Sequence, residues 1–303
     1  MIDAFSAEGT FFKGNLHCHS TRSDGHMTPA RVCNFYYEEG YDFICLSDHF
    51  IDRYGFPVTD TSPYRTDEFT TIIGAEIHSG QTEAGDIWHI LAVGLPLDFA
   101  QTPADESGPA LAQRALDAGA FVALPHPEWY GITIRDGESM PEGIHAVEMF
   151  NAVCDAMGRE GGGYLLDQMM TSGRNPGAIA VDDAHYYRGD AGLGWTMVKA
   201  TERTPDALLA GLKAGHFYAS TGPEILHVEA NETHLFVECS PVDFIGLVGQ
   251  GSASAKVEGP GITRAMIPLE RFEGGWARLI LRDADGKKAW GHPWRVGDAG
   301  KGQ

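Results

Sequence analysis

The sequence predicts an α/β fold. A parallel sheet, open or closed into a barrel, is expected over residues 1–221, and a smaller antiparallel β module over 222–303. Three observations predict it. Short apolar runs alternate with helical segments over the first two hundred residues, which is the pattern of parallel sheets with crossover helices. Near Gly222 the period shortens to two and turn signals multiply. A chain of 303 residues is long enough for one large domain or two unequal ones.

The expected buried strands are Asn15–His19, Phe43–Ser47, Ile72–Ile77, His89–Val93, Phe121–Leu124, Ala146–Phe150 and Ala178–Val181. Helices are expected between several of them. Thr28 and Pro29 open one that stops at Gly40, and the Ala- and Leu-rich Gly108–Ala118 stops at Gly119. Thr204 and Pro205 open another that ends at Gly215. The stretch Phe50–Thr70 carries Arg53, Tyr54, Phe56, Tyr64 and Arg65 without clear periodicity and is expected to act as a lid. In the module, strands are expected at Ile225–Ala230, Leu235–Cys239, Phe244–Val248, Ala265–Pro268 and Trp276–Leu281. Turns are expected at Gly259-Pro260-Gly261, Gly274-Gly275 and Asp285-Gly286.

Lys and Arg total 22 and Asp and Glu 42, a net charge of −20. That field opposes binding to long nucleic acid or an anionic membrane, but a small anion remains compatible with a locally positive site. No apolar run approaches the ~20 residues that span a bilayer, and Met1–Lys13 lacks a basic-then-apolar leader pattern. The five cysteines are odd in number, unpaired as CxxC and partly within apolar runs, so they are expected to be reduced thiols of a cytoplasmic protein. Oligomeric state is not legible.

The chemistry is carried by histidines and carboxylates at inferred strand ends. His17 and His19 are two apart, so a strand would put both imidazoles on one face. Asp24 follows in a Ser-Asp-Gly turn, His49 ends the second strand, Glu76 the third, and His89 begins the fourth. His126 follows the fifth strand, and Asp183 and His185, again two apart, follow the seventh. In parallel α/β folds sites are built at such ends, so these residues are expected to hold metal ions. Asp182 competes with Asp183, but the spacing to His185 favours Asp183. Asp48 is expected to orient a ligand, and Glu148 to be either site-facing or structural. Arg22 is either a phosphate contact or a surface arginine, with Arg53 and Arg65 weaker candidates. His26, His78, His145, His216, His227, His234 and His292 lie outside the pattern. No nucleotide-binding glycine loop and no serine nucleophile elbow is present.

The run His17-Cys18-His19-Ser20-Thr21-Arg22-Ser23-Asp24-Gly25, with Ser47-Asp48-His49, Glu76, Pro125-His126-Pro127 and Asp183-Ala184-His185, resembles the polymerase and histidinol phosphatase (PHP) family of metal-dependent phosphoesterases. The segment Gly215–Pro223 and the module after it look like a carbaryl-hydrolase-like (CehA/McbA) metallohydrolase subgroup. The resemblance implies a distorted seven-stranded β/α barrel. It implies one ion held by His17, His19, Glu76 and Asp183, a second by Asp24, His49 and the bridging Glu76, and a third by His89, His126 and His185. Asp24 stands where some members have histidine, which hardens that site.

Two or three divalent ions are therefore expected, and mixed nitrogen and oxygen ligands suit Mn, Fe or Zn. Paired ions lower the pKa of a shared water, making hydroxide the nucleophile, and clamp phosphoryl oxygens. Asp183 would hold the reacting centre together, and His126 or His185 would serve as general acid if the third position is free. The expected function is hydrolysis of a small phosphomonoester or phosphodiester. The alternatives are hydrolysis of carboxyl or carbamate esters, and a non-catalytic metal-stabilised module.

Overall fold

The computed structural model describes residues 2–159, 161–187 and 189–297. Seven α-helices are assigned among these residues: α1 (Ile2–Ser6), α2 (Pro29–Glu38), α3 (Gly108–Asp117), α4 (Ile134–Ser139), α5 (Ala152–Asp155), α6 (Gly163–Thr171) and α7 (Pro205–Lys213). The strands of the N-terminal region are β1 (Thr10–Asn15), β2 (Phe43–Leu46), β3 (His49–Phe50), β4 (Thr70–Gln81), β5 (Ile87–Val93), β6 (Phe121–Leu124), β7 (Ala146–Asn151), β8 (Gly177–Val181), β9 (Trp195–Ala200) and β10 (Phe217–Ser220). Those of the C-terminal region are β11 (Ile225–Ala230), β12 (His234–Gly249), β13 (Ser254–Pro268), β14 (Trp276–Arg282), β15 (Lys288–Gly291) and β16 (Trp294–Arg295).

The expected helix ends hold. α2 begins at Pro29 after Thr28. In α3 and α7 the cap hydroxyls of Ser107 and Thr204 accept from Ala110 N and Ala207 N, satisfying amides the helix cannot. Gly40, Gly119 and Gly215 follow the three helices at φ +72°, +88° and +74°, a conformation that glycine adopts without a Cβ clash.

The strands named above lie in one mixed sheet whose main path runs β11-β12-β14-β15-β10-β9-β1-β2-β4-β5-β6-β7-β8, with β13 paired to β12, β16 to β14 and β3 to β4. β1, β2 and β4 are mutually parallel, as are β6, β7 and β8, but β5 runs antiparallel to both its neighbours. The wholly parallel reading fails there for a reason of length. Only Thr82–Asp86 joins β4 to β5, closed by Thr82 N to Asp86 O at 2.8 Å, and a parallel crossover needs a dozen residues or so. The sequence reading also omitted β9, which pairs antiparallel with β1 from Thr10↔Ala200 to Gly14↔Thr196.

The two ends of the run from β9 to β8 meet at one side chain. The Thr196 hydroxyl accepts from Ala180 N at 3.3 Å and donates to Ala180 O at 3.0 Å. One apolar cluster takes residues from β2 and β4 to β9, namely Phe43 and Cys45, Ile72, Leu91 and Val93, Phe121 and Ala123, Ala146, Ile179 and Val181, and Val198, with the partly buried Phe12 of β1 packed against it. The opposite face, with Ala75, Ile77, Ile90, Ala92 and Val122, packs under α3 and α6.

The C-terminal strands continue the same sheet through β10, which pairs with β9 on one side and β15 on the other. β12 is one long strand where two were expected. Gly259-Pro260-Gly261 is not a turn but an irregularity within β13, opposite β12, where Gly261 N donates to Asp243 Oδ1 at 3.2 Å. The chain reverses instead near Gln250–Ala253, with Gly249 N to Ala253 O at 2.9 Å. This region has its own apolar cluster around Val237, Ile245, Leu247, Leu279 and Leu281. It docks on α6 through Arg278, whose Nε and Nη2 donate to the two carboxylate oxygens of Asp167 at 2.7 and 3.1 Å. No described helix is long and apolar enough to cross a membrane.

Candidate metal centre

The site sits at one end of the sheet interior, and strand periodicity builds most of it. Along β4, Ile72, Gly74, Glu76 and His78 share a face, and along β5, His89, Leu91 and Val93 do. Ile72, Leu91 and Val93 lie in the interior apolar cluster, and the two strands pair His78 with His89. The same periodicity that buries the leucine and isoleucine therefore delivers Glu76, His78 and His89 to the interior end. Glu76 lies within β4 and not at its end, because β4 runs on to Gln81.

His17 and His19 also lie elsewhere than expected. β1 stops at Asn15, and the two histidines follow it on an extended segment pinned by neighbours: His19 N donates to Ala184 O at 3.0 Å, and Asp183 N to His17 O at 2.8 Å. The alternation that puts both rings on one side survives, since Cys18 makes an isolated bridge to Ala184.

Glu76, fully buried, is the hub. Six imidazole nitrogens lie within 4 Å of its carboxylate: His49 Nδ1 at 2.6, His17 Nε2 at 3.6, His78 Nε2 at 3.7 and His19 Nε2 at 3.8 Å from Oε2, and His89 Nδ1 at 2.7 and His126 Nε2 at 3.0 Å from Oε1. Asp183 Oδ1 is 2.9 Å from His19 Nε2 and 3.2 Å from His17 Nε2. Asp24 lies on the outer side, with Oδ2 3.3 Å from His49 Nε2 and Oδ1 3.4 Å from His185 Nε2. All nine expected ligands thus converge. His185 sits beside Asp24 with its ring 4.4 Å from that of His19, while His89 and His126 meet at Glu76 Oε1. The geometry therefore separates His185 from the pair with which it was grouped.

Supporting groups fix which nitrogen faces inward. The Glu148 carboxylate accepts from His17 Nδ1 at 2.7 Å, leaving the Nε2 lone pair for the site. Its other oxygen accepts from His126 N at 2.7 Å and Asn151 Nδ2 at 2.9 Å. His185 Nδ1 donates to Asp183 O at 2.7 Å, which turns its Nε2 lone pair to Asp24. Asp48 carries the loop that bears Asp24, accepting from Ser20 N at 2.7 Å, Ser23 Oγ at 2.9 Å and Thr59 Oγ1 at 3.0 Å. Asp182 faces away and accepts from Tyr36 OH at 2.8 Å and from the amides of Gly192, Leu193 and Gly194 at 2.7–2.9 Å.

Two residues of the site hold unusual backbone. His126 has φ +26° and Asp183 φ +56°, both costly for a residue with a Cβ. The bonds from His126 N to Glu148 and from Asp183 N to His17 O hold them there.

The donor set fits divalent cations. His17 Nε2, His19 Nδ1, Asp24 Oδ1 and Glu76 Oε2 are shielded from solvent and make no hydrogen bond, though they face one another. Electrostatics agree. Burial favours the neutral acid of Glu76, but His89, His49 and His17 overcome it and hold the carboxyl well below its usual range. Burial likewise opposes charge on His17, yet Asp183, Glu148 and Glu76 raise its pKa well above that of free imidazole. The five cysteines are free, buried and outside these clusters.

Other candidates settle elsewhere. Arg22 is exposed on the Asp24 loop. Arg65 Nε donates to Thr71 O at 3.1 Å, a fold contact, and Arg53 stacks on Tyr54. The Phe50–Thr70 stretch is tied down by such bonds, and Tyr54 stacks 6.2 Å from His49. Sequence reasoning missed His78, although its two-residue spacing from Glu76 in a strand was a usable signal. It also missed Asn151, which links Glu148 to Asp183 Oδ2 at 3.1 Å and caps α5 through Cys154 N; nothing in the sequence distinguishes it from a plain helix cap. Glu148→Gln is expected to weaken metal affinity or turnover ~10–100-fold, as loss of such ligand-orienting groups typically does. Metal titration of the variant against the parent checks this.

No protein-family model matches the chain, and no curated protein matches it by sequence. Among solved structures, it is similar to a two-domain protein from Bacteroides vulgatus ATCC 8482 that contains a predicted PHP-like metal-dependent phosphoesterase, at TM-score 0.54 and 18% identity over 95% of each chain. A predicted metal-dependent phosphoesterase from Bifidobacterium adolescentis ATCC 15703 matches 57% of this chain and 87% of its own, at TM-score 0.44 and 13% identity. An amidohydrolase from Chromobacterium violaceum with bound sulfate and no metal matches 59% of this chain and 89% of its own, at TM-score 0.41 and 13% identity. The first of these likenesses, which spans almost the whole of both chains, shows that this chain shares the fold of a PHP-like two-domain protein.

Proposed function

We propose that the protein is a metal-dependent hydrolase of small phosphoesters, mono- or diesters. The observation that carries this reading is the Glu76 carboxylate, buried with six imidazole nitrogens within 4 Å. A packed core gains nothing from such a cluster without cations to satisfy it. The likeness to a PHP-like fold supports it, as does the β9-to-β8 run, which we describe as a distorted barrel closed by the Thr196 hydroxyl. The Gly215–Pro223 segment supports a place near the carbaryl-hydrolase-like subgroup.

The residues that would hold ions are His17, His19, Glu76 and Asp183, then Glu76, His89 and His126, then Asp24, His49 and His185. Two or three ions of Mn, Fe or Zn suit this nitrogen and oxygen set. Such ions supply an acidified water and neutralise charge on a phosphoryl group. The chain's own residues do the rest. Glu148 and Asn151 hold His17 and Asp183 in register. Asp24 and His185 form the outer, partly open side where an ester can enter. Where its own position holds no ion, His185 or His126 is placed to deliver a proton to the leaving oxygen. The substrate is a small anion; the −20 net charge disfavours long nucleic acid and anionic membrane. Five free, buried thiols fit a reducing compartment such as the cytoplasm.

The test is a hydrolysis screen of the Mn-, Fe- and Zn-loaded protein against phosphomonoesters, nucleotides, cyclic phosphates and aryl carbamates. Turnover of a phosphate ester that stops on chelation supports the reading; turnover of the carbamate alone replaces it with carbonyl chemistry. Arg22, exposed on the Asp24 loop, is proposed to grip the phosphate with two of its guanidinium nitrogens. Arg22→Ala is expected to lower kcat/KM by one to three decades, since a charge-assisted contact contributes about 1.5–3 kcal/mol. Its melting temperature should stay within a degree or so of the parent, and unchanged kinetics would return Arg22 to the surface.

A further inference from the structure

Resting on the metal-centre reading, we infer that His78 is an additional metal ligand and that, with His49, Glu76 and His89, it forms a closed cation position of three imidazoles and one carboxylate. The family motif does not include this histidine. His78 is 4% exposed, and one donor atom from each of the four residues lies within 4.8 Å of the others.

Proton counting carries the argument. His49 Nδ1 is 2.6 Å from Glu76 Oε2 and 2.9 Å from His78 Nε2, and His78 Nε2 is 3.7 Å from Glu76 Oε2. One proton on His49 Nδ1 can serve the carboxylate or the imidazole, not both. Whichever is left presents a lone pair to a neighbour at contact distance inside a dry pocket. A cation satisfies all three atoms at once. Ligands about 2.1 Å from a tetrahedral ion stand roughly 3.4 Å apart, and the observed separations of 2.6, 2.9 and 3.7 Å surround that value. His89 completes the set on the far carboxylate oxygen, its ring 4.3 Å from His78 and nearly perpendicular to it.

The donor chemistry selects the ion class. Three imidazoles and one carboxylate suit a borderline transition-metal ion, Zn²⁺ above all, over Mg²⁺ or Ca²⁺. Four protein ligands leave no open position, so this ion holds β4 and β5 together and does not activate water. Because one imidazole lone pair serves one ion, filling this position takes His49 and His89 from the two smaller sets named above, Asp24 with His49 and His185 and Glu76 with His89 and His126, and leaves His49 Nε2 as a proton donor to Asp24.

The experiment compares the zinc-reconstituted parent with His78→Gln and His78→Ala, counting ions per chain by elemental analysis and recording the visible spectrum after cobalt substitution. Circular dichroism confirms that each variant is folded; if His78→Ala is not, His78→Gln carries the comparison. Both variants are expected to hold one ion fewer than the parent, to lose the intense tetrahedral cobalt bands, and to lose part of the thermal stabilisation that zinc gives the parent. Equal ion counts and an unchanged cobalt spectrum would overturn the assignment and leave His78 as a packing neighbour of His49. The ester screen is read separately. A parent that binds the ion through His78 but cleaves no ester rejects the hydrolase reading alone, and a parent that cleaves esters with an ion count independent of His78 rejects this inference alone.

Discussion

Glu76→Ala is expected to strip the protein of at least two ions per chain and to lower kcat/KM by at least about three decades. The two carboxylate oxygens divide the surrounding imidazoles between them, with His89 and His126 on Oε1 and His17, His19, His49 and His78 on Oε2. A group placed in this way would bridge ions if they bind as proposed, and its loss would be felt at more than one of them. Elemental analysis of protein purified with excess metal reads the outcome. Loss of a single ion would mean that Glu76 belongs to one position only. Full retention would remove it from the ligand set. Glu76→Gln separates charge from shape, because the amide fills the same volume with half the acceptor capacity.

The neighbouring aspartates should respond in opposite ways. Asp182→Ala is expected to cost at least about 3 kcal/mol of stability, because it abandons the Tyr36 hydroxyl and three backbone amides in the interior, each worth about 1–3 kcal/mol when left unpaired. Its ion content should change little in whatever fraction stays folded. Asp183→Ala should lose metal and activity, yet melt close to the parent when both are measured in chelator. Thermal melts with and without chelator, paired with ion counts, separate the two. If Asp182→Ala loses ions while keeping its melting temperature, the assignments are reversed.

How much of this was legible follows from periodicity and from what lies between the periodic segments. The helix ends were readable because proline, threonine and glycine act locally, as at Thr28-Pro29 and Gly40. The convergence of the candidate ligands was readable because His17 and His19, and Asp183 and His185, keep their spacing wherever the strand itself stops. Strand direction was not, because β5 reverses through a five-residue connection that resembles any other loop. β9 was missed since Trp195–Ala200 alternates weakly and includes Thr196 and Lys199. His78 was set aside because it lies outside the motif, although β4 simply continues past Glu76. The split of function between Asp182 and Asp183 depends on Tyr36 and the Gly192–Gly194 amides, which only the tertiary fold brings near.

The shared strand β10 has a consequence for motion. Tyr218, Ala219 and Ser220 each pair with β9 on one side and with β15 on the other. A module joined in this way cannot swing on a hinge, because opening would tear a ladder in mid-sheet. Under the proposed function, substrate would therefore enter without closure of this module over the site. Amide protons along β10 should exchange with solvent only through global unfolding, while those near the Asp24 loop exchange through smaller local openings.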